Sequence, residues 1–266
     1  MQINNVYRSE KLSNHIFRII DVTGVCCYLV IGDEKAALLD CCNGLGNIKE
    51  FVHTITDKDV IVILTHGHLD HMGSAALFDE VYMNEKDIPV LKNHGNMNFR
   101  VKDITEISNL NITESDLIPT ITRNPSPITD NQIFDLGNIH IQMISVPGHT
   151  KGMMCPLIEE ERTIIFGDAC GVSVLLCDEF STSVGEYRKS LLRLKDYEKN
   201  YDIIYRNHGT FSSPKILLDH VIECTDLILN HKDAHIPTEM HGYSLYAAKS
   251  LDTKDGNILY SMDKLK

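Results

Sequence analysis

Three imidazoles and one carboxylate fall within six consecutive residues: His66-Gly67-His68-Leu69-Asp70-His71. Residues 60–64 just before them read Val-Ile-Val-Ile-Leu, and such an apolar run is typical of a buried strand. Imidazole and carboxylate are ligands of zinc, iron and manganese, whereas a hydrophobic core needs neither. Because alternate residues of an extended chain point the same way, we expect His66 and His68 to bind one ion. Asp70 and His71 then follow as the chain turns, and can face a second ion.

Composition and charge narrow the class of protein. The chain has 266 residues, enough for a sizeable core, and its 43% hydrophobic and 23% charged content is ordinary for a globular protein. Its net charge of −12, without a basic run to offset it, disfavours nucleic acid as a partner. The first twenty residues hold no apolar signal region, and no segment has the length of a membrane span. We therefore expect no membrane association.

The cysteines indicate a reducing compartment. All eight lie outside any Cys-x-x-Cys pair, and a chain of this size needs no disulfides for stability. We expect reduced, mostly buried thiols in a cytoplasmic protein. The sequence leaves self-association into a homo-oligomer open.

Apolar periodicity predicts an α/β protein. Strand-like runs occur at residues 15–20, 26–31, 35–40, 60–65, 139–143, 163–166 and 201–205, and residues 48–55 have helical spacing. Ser183 and Glu186 form a capping box for a second helix, and Ser213-Pro214 predicts the start of another. We expect a helical C-terminal tail from about residue 213. The Asn-, Thr-, Ser- and Pro-rich stretch at about 93–131 is typical of an insertion or lid.

Four predicted strands end at a candidate metal ligand. The six-residue cluster follows one of them, and His149, Asp168 and His208 follow the other three. Alone, each of these three would more often be a turn or surface residue. Functional residues gather where strands deliver them to loops, so the ensemble favours metal binding. His94, within the polar stretch, is a weaker candidate for a substrate-binding loop.

Four motifs of the sequence resemble those of the metallo-β-lactamase-fold hydrolases. They are Thr65-His66-Gly67-His68-Leu69-Asp70-His71, Pro147-Gly148-His149-Thr150, Phe166-Gly167-Asp168 and Asn207-His208-Gly209. The resemblance covers residues 15–210 and is nearest to the hydroxyacylglutathione-hydrolase-like branch, because aspartate stands at 168 where zinc β-lactamases have a cysteine ligand. It implies one domain over residues 1–266, a four-layer αβ/βα sandwich of two mixed sheets flanked by helices.

The resemblance also implies a ligand set. One ion would be held by His66, His68 and His149, the other by Asp70, His71 and His208, with Asp168 bridging the two. Asp40, at the end of a strand, would support these ligands without touching an ion. His66, His68 and Asp70 would carry the catalytic role. Zinc is the favoured metal, and iron or manganese is compatible with the same donors.

Two divalent ions about 3.5–4 Å apart can share and ionise one water, which predicts a bridging hydroxide as nucleophile. The two ions carry +4, Asp70 and Asp168 carry −2 and the hydroxide −1, so the site would favour an anionic group on the substrate. We therefore expect a metal-dependent hydrolase acting on a small thioester, ester or lactone.

Two alternatives use the same residues. One is a phosphodiesterase, and the other is an iron-dependent oxidoreductase resembling the sulfur dioxygenases of this fold. Redox-active iron with oxygen uptake would favour the oxidoreductase, whereas zinc or manganese with ester turnover would favour hydrolysis.

Overall fold

The computed structural model describes residues 6–265, and the chain there divides into two compact units. The first unit contains the described residues up to Gln142 together with the short segment Asn207–Gly209. The second contains Met143–Arg206 and the described residues from Thr210 onward. Each unit has its own hydrophobic core. The chain is of mixed α/β type, as the periodicity predicts.

The first unit is built on a seven-stranded mixed sheet. Its strands are β1 (Tyr7–Lys11), β2 (Ile16–Asp21), β3 (Cys26–Ile31), β4 (Ala36–Leu39), β5 (Val60–Ile63), β6 (Val81–Met83) and β7 (Ser126–Pro127), in that spatial order. Neighbours from β1 to β4 pair antiparallel, and those from β4 to β7 pair parallel. Parallel pairing requires crossover segments, and these carry the helices of the unit. A further strand, β8 (Gln132–Asp135), follows β7 in the chain.

The helices of the first unit are α1 (Ile48–His53), α2 (Leu69–Met72), α3 (Ile88–His94) and α4 (Met97–Ser108). Asn47 caps α1 and Asn96 caps α4, each accepting a hydrogen bond from a backbone amide three residues on. The single turn α2 begins immediately after His68, so the predicted change from strand to turn takes place within the histidine cluster.

The polar stretch at about 93–131 contains the helix α4 and contributes to the packing of the first unit. Its apolar residues Ile104, Ile112, Leu117 and Ile121 belong to the unit's core. The guanidinium of Arg100 in α4 is fully buried. The segment is therefore a packed part of the unit, and its role as a lid stays a prediction.

The boundary between the units falls within β9 (His140–Ser145). The later strands are β10 (Met154–Ile158), β11 (Thr163–Ile165), β12 (Val174–Leu176), β13 (Ile203–Tyr205), β14 (Ser212–Ser213), β15 (Ile236–Met240), β16 (Tyr243–Ala247) and β17 (Ile258–Tyr260). One sheet has the order β14-β13-β11-β10-β9, and another has the order β12-β17-β16-β15. The helices of this unit are α5 (Val184–Lys195) and α6 (Leu217–Leu229), and α5 begins at the predicted capping box of Ser183 and Glu186.

The C-terminal region corrects two predictions. The tail from residue 213 is helical only through α6, because β15, β16 and β17 follow it. Met240 pairs with Tyr243 across a two-residue turn in which His241 and Gly242 both have positive φ, the geometry of a tight hairpin. Helix α6 also begins later than the Ser213-Pro214 pair predicts. Its N-cap is Ile216, while Ser213 pairs with Ile204 at the edge of the sheet.

Within residues 6–265, no helix is long and apolar enough to cross a bilayer. All eight cysteines are free thiols there, and seven of them are buried. The reduced state of these cysteines in the cell stays a prediction.

Candidate metal centre

The histidine cluster lies at the end of β5, as the sequence predicts. His68 is the N-cap of α2 and keeps an extended backbone, so the chain turns only after it. The rings of His66 and His68 meet edge to face, and His66 Nε2 lies 3.1 Å from His68 Nδ1. The two nitrogens therefore face each other, as the alternation along an extended chain predicts.

The turn of α2 brings Asp70 and His71 to His208. The carboxylate Oδ2 of Asp70 is 3.4 Å from His71 Nε2 and 3.2 Å from His208 Nε2. The two imidazole nitrogens are themselves 3.4 Å apart. Three donor atoms thus converge in the first unit, although 137 residues separate His71 from His208 in sequence.

The side chain of Asp40 orients the ring of His71. Its buried carboxylate lies 2.9 Å from His71 Nδ1 and accepts hydrogen bonds from the amide and hydroxyl of Thr65. Because Nδ1–H of His71 donates to Asp40, Nε2 is the ring nitrogen that faces Asp70 and His208, and it can bind a cation once it carries no proton. The resemblance implies a supporting role for Asp40, and this hydrogen bond is the contact through which Asp40 would act.

Thr65 and Asn207 complete the support. The Oγ1 of Thr65 is 3.1 Å from His66 Nδ1, which leaves Nε2 of His66 facing His68. Asn207 donates to Asp40 Oδ2 at 3.2 Å and to the backbone oxygen of Cys26 at 2.7 Å. The backbone oxygen of Asn207 also accepts a hydrogen bond from the amide of Cys26, so both the side chain and the backbone of the residue before His208 are held.

Gly67 allows the chain to pass close to α3. A Cβ at this position would lie 2.7 Å from the backbone nitrogen of Leu91 and 2.8 Å from the backbone oxygen of Asp87. The buried carboxylate of Asp87 accepts the amide of Gly67 at 3.1 Å. The backbone between His66 and His68 is therefore held by a hydrogen bond as well as by packing.

The second unit brings His149 and Asp168 together. His149 Nε2 lies 3.7 Å from Asp168 Oδ2, while Nδ1 of the same ring donates to the backbone oxygen of Leu175 at 2.9 Å. The hydroxyl of Ser181 donates to the backbone oxygen of His149. As with His71, one ring nitrogen is fixed by a protein acceptor and the other is left toward a carboxylate.

A buried tyrosine of α5 supports the loops that carry these two residues. A Cβ at Gly148 would lie 2.1 Å from Cδ2 of Tyr187, so only glycine fits beside this ring. The hydroxyl of Tyr187 donates to the backbone oxygen of Ala169 at 2.6 Å. Tyr187 thus touches the residue before His149 and the residue after Asp168.

The charge state of Asp70 suits a metal ligand. Burial raises the pKa of its carboxyl, but the neighbouring His71 and His208 outweigh this effect and hold the pKa well below its ordinary value. Asp70 is therefore ionised at neutral pH and offers carboxylate oxygens.

The spacing of the donor atoms fits a metal ion within each unit. Zinc holds nitrogen and oxygen ligands at about 2.0–2.2 Å, which places neighbouring ligand atoms of a tetrahedral shell about 3.3–3.6 Å apart. The separations given above run from 3.1 to 3.7 Å. In His66, His71 and His149, a hydrogen bond at Nδ1 leaves Nε2 as the nitrogen that faces other candidate ligands.

Several supporting residues were missed by sequence reasoning. They are Thr65, Asp87, Asn207 and Tyr187, all buried. Their partners lie up to 181 residues away along the chain, so no local pattern identifies them. Gly67 and Gly148, which precede the candidate ligands His68 and His149, are the signals that could have indicated close backbone approach.

Comparison with known proteins identifies the family. A model of the metallo-beta-lactamase superfamily matches residues 20–204. The chain belongs to the metallo-beta-lactamase superfamily. This confirms the resemblance carried by the four motifs.

Superfamily relatives are distant in sequence. The probable polyketide biosynthesis zinc-dependent hydrolase PksB of Bacillus subtilis is 25% identical over 198 residues, 71% of this chain and 74% of that protein. The acyl-coenzyme A thioesterase MBLAC2 of Homo sapiens is 23% identical over 168 residues, 52% of this chain and 55% of that protein. A solved metallo-beta-lactamase from Pontibacter korlensis has a TM-score of 0.61 at 14% identity, covering 83% of this chain and 99% of that one. The structural likeness confirms the predicted fold class.

Proposed function

We propose that this chain is a metal-dependent hydrolase with two divalent ions, which cleaves a small thioester, ester or lactone. His66, His68 and His149 would hold one ion, and Asp70, His71 and His208 would hold the other. Asp168 would bridge them. When bound, such ions supply Lewis acidity and lower the pKa of a water to about 7.

The convergence of Asp70, His71 and His208 is the observation that carries this proposal. Three donor atoms lie 3.2–3.4 Å from one another, and the buried Asp40 fixes which nitrogen of His71 is presented. Surface histidines that bind no ligand would not require a buried carboxylate such as Asp40, which accepts four hydrogen bonds and orients one ring.

The relatives support the metal and the substrate class. PksB carries zinc dependence in its name, and MBLAC2 is named as a thioesterase. Two divalent ions carry +4 against −2 from Asp70 and Asp168, so we further propose that the substrate bears an anionic group near the scissile bond.

In this scheme the chain's own residues set the geometry of the site. Asp40 holds His71, and Thr65 holds His66, in the tautomer in which Nε2 is available to bind a metal ion. Asp70 stays ionised beside its two histidines, so it requires no proton transfer before it binds a cation.

The test combines elemental analysis with turnover. Unsupplemented protein should contain zinc at up to two equivalents, and a panel of chromogenic thioesters, lactones and phosphodiesters should show ester cleavage that a chelator abolishes and metal restores. His68→Ala should lose one metal equivalent and most of the turnover. The matched control is His53→Ala, an exposed histidine whose ring nitrogen bonds only its own turn at Thr56.

Three results would overturn the proposal. The first is wild-type protein that binds no divalent metal after reconstitution. The second is His68→Ala with full metal content and full activity. The third is redox-active iron with oxygen uptake in place of ester turnover.

A further inference from the structure

A further imidazole lies against the histidine cluster. His94, the last residue of α3, stacks on the ring of His68 with the centroids 4.3 Å apart and the planes 29° from parallel. A ring nitrogen of His94 comes within 4.8 Å of one of His68. His94 is outside the seven residues proposed as ligands, so its contact with one of them needs its own explanation.

His94 contacts a second ring. Phe99 meets the His94 ring edge-on at 5.1 Å and 80°, so His94 contacts both Phe99 and His68. Such an edge-to-face pair restricts the orientation of both rings. We call His68, His94 and Phe99 the ring stack.

The backbone around the ring stack is firmly held. The amide of Phe99 donates to the Asn96 side chain at 3.0 Å, and the amide of Gly95 donates to Leu91 at 2.8 Å. Thr120 donates to the backbone oxygen of Gly95 at 2.5 Å. The segment that presents His94 is therefore fixed at both helix ends that flank it.

His68 has reason to need such a neighbour. It is the N-cap of α2, yet its side chain makes no capping hydrogen bond, so the ring is directed at His66 instead. An imidazole rotates about two side-chain bonds, and a flat face packed at 4.3 Å removes most of that freedom.

From these contacts we infer that His94 is a positioning residue, which holds the His68 ring with Nδ1 facing His66 Nε2 so that the two nitrogens are prepared for one cation. The inference rests on the proposed function. It assigns to the polar stretch of the chain a direct part in building the metal site.

The test measures zinc affinity by competition with a chromophoric chelator. His94→Ala should weaken one of the two zinc equivalents about tenfold, the lower end of the effect seen when a residue that orients a ligand is removed. His94→Phe keeps a flat ring and should restore affinity to within about twofold of wild type. Asn93→Ala, at the exposed preceding residue, is the matched control and should leave both equivalents unchanged.

Two results would overturn the inference while the proposed function stands. One is His94→Ala with wild-type affinity at both equivalents, and the other is His94→Phe with the same loss as His94→Ala. If His94→Ala does not fold, His94→Leu replaces it, and the comparison with His94→Phe still separates a ring from an aliphatic side chain. Wild-type protein that binds no zinc would overturn the proposed function and this inference together.

Discussion

Asp40 is the residue on which most of the first unit's site depends. Its carboxylate accepts from Thr65 and His71, which lie just before and at the end of the histidine cluster, and from Asn207, far away along the chain. Its backbone has a φ of 63°, in the left-handed region that aspartate and asparagine tolerate better than most side chains. The position therefore requires both a carboxylate and a short polar side chain.

We predict that Asp40→Asn preserves the backbone but weakens the metal site. An amide at 40 would turn an NH₂ group toward donors that need an acceptor, so His71 would lose its fixed tautomer. We expect zinc affinity to fall about 10–100-fold, and stability to fall by about 1–3 kcal/mol. Chelator competition and urea unfolding measure the two effects.

The control for this substitution is Asp57→Asn at an exposed site, which should change neither quantity. Unaltered zinc affinity in Asp40→Asn, with the variant folded, would contradict the role given to Asp40.

Candidate ligands can be proposed from the sequence at this scale, but most of the residues that contact them cannot. His66, His68, Asp70 and His71 stand in one short motif, so their chemistry is visible in the sequence. Asn207 acts through contacts with Asp40 and Cys26, 167 and 181 residues away. Such a role depends on the folded chain, and a single sequence carries no local pattern for it.

At the scale of elements, α5 supports the loops of the second unit that carry the candidate ligands His149 and Asp168. Its capping box fixes where the helix begins, and Tyr187 lies in its first turns. That ring is fully buried, and its hydroxyl is bonded to Ala169, so it cannot swing away from Gly148.

We predict that Gly148→Ala destabilises the protein by about 1–3 kcal/mol, because the new methyl group would overlap the Tyr187 ring. Gly185→Ala is the matched control. It lies within α5 with nothing within 4 Å of an added Cβ, so we expect it to stabilise by up to about 1 kcal/mol. Urea midpoints of both variants against wild type give the comparison. A Gly148→Ala midpoint equal to that of wild type would contradict this prediction, because it would show that the Tyr187 ring moves to accommodate the methyl group.

Elements with a strong local signal were predicted well. The strand at 26–31 and the capping box of α5 agree with the structure, because apolar alternation and a Ser-x-x-Glu spacing are local properties. The C-terminal hairpin was missed because most residues of β15 and β16 are not buried, so neither strand carries the apolar run of a buried strand. Pairing across the sheet, more than local propensity, makes these residues strands.

At the scale of the whole molecule, buried thiols occur in the cores of both units. Burial raises the pKa of Cys27 and of Cys224 to about 11, against an ordinary value of 9.0. The pKa values of Cys41, Cys42 and Cys155 are raised as well, through burial and, for Cys42, first through its hydrogen bond with Cys27. These thiols stay protonated in the folded chain at a pH where the unfolded chain has ionised.

We predict that stability falls as pH rises from about 9 toward 11. In this window the folded state binds more protons than the unfolded state, so each thiol lowers the free energy of unfolding by up to about 1.4 kcal/mol per pH unit. Urea midpoints at pH 7.5 and 10, with a reductant present, measure the effect. Cys224→Ala should give a shallower decline than wild type. A midpoint that does not change between these two pH values would contradict the prediction.

The chain enters the first unit a second time only for Asn207–Gly209, and leaves again at Thr210. A polypeptide that stopped at Gln142 would lack His208 and would keep Asp40 and Cys26 without the amide that hydrogen bonds to both. The gene therefore cannot be divided at that boundary into two self-sufficient halves. A recombination event that replaced the sequence after Gln142 would have to retain Asn207–Gly209. The two units would therefore be inherited together.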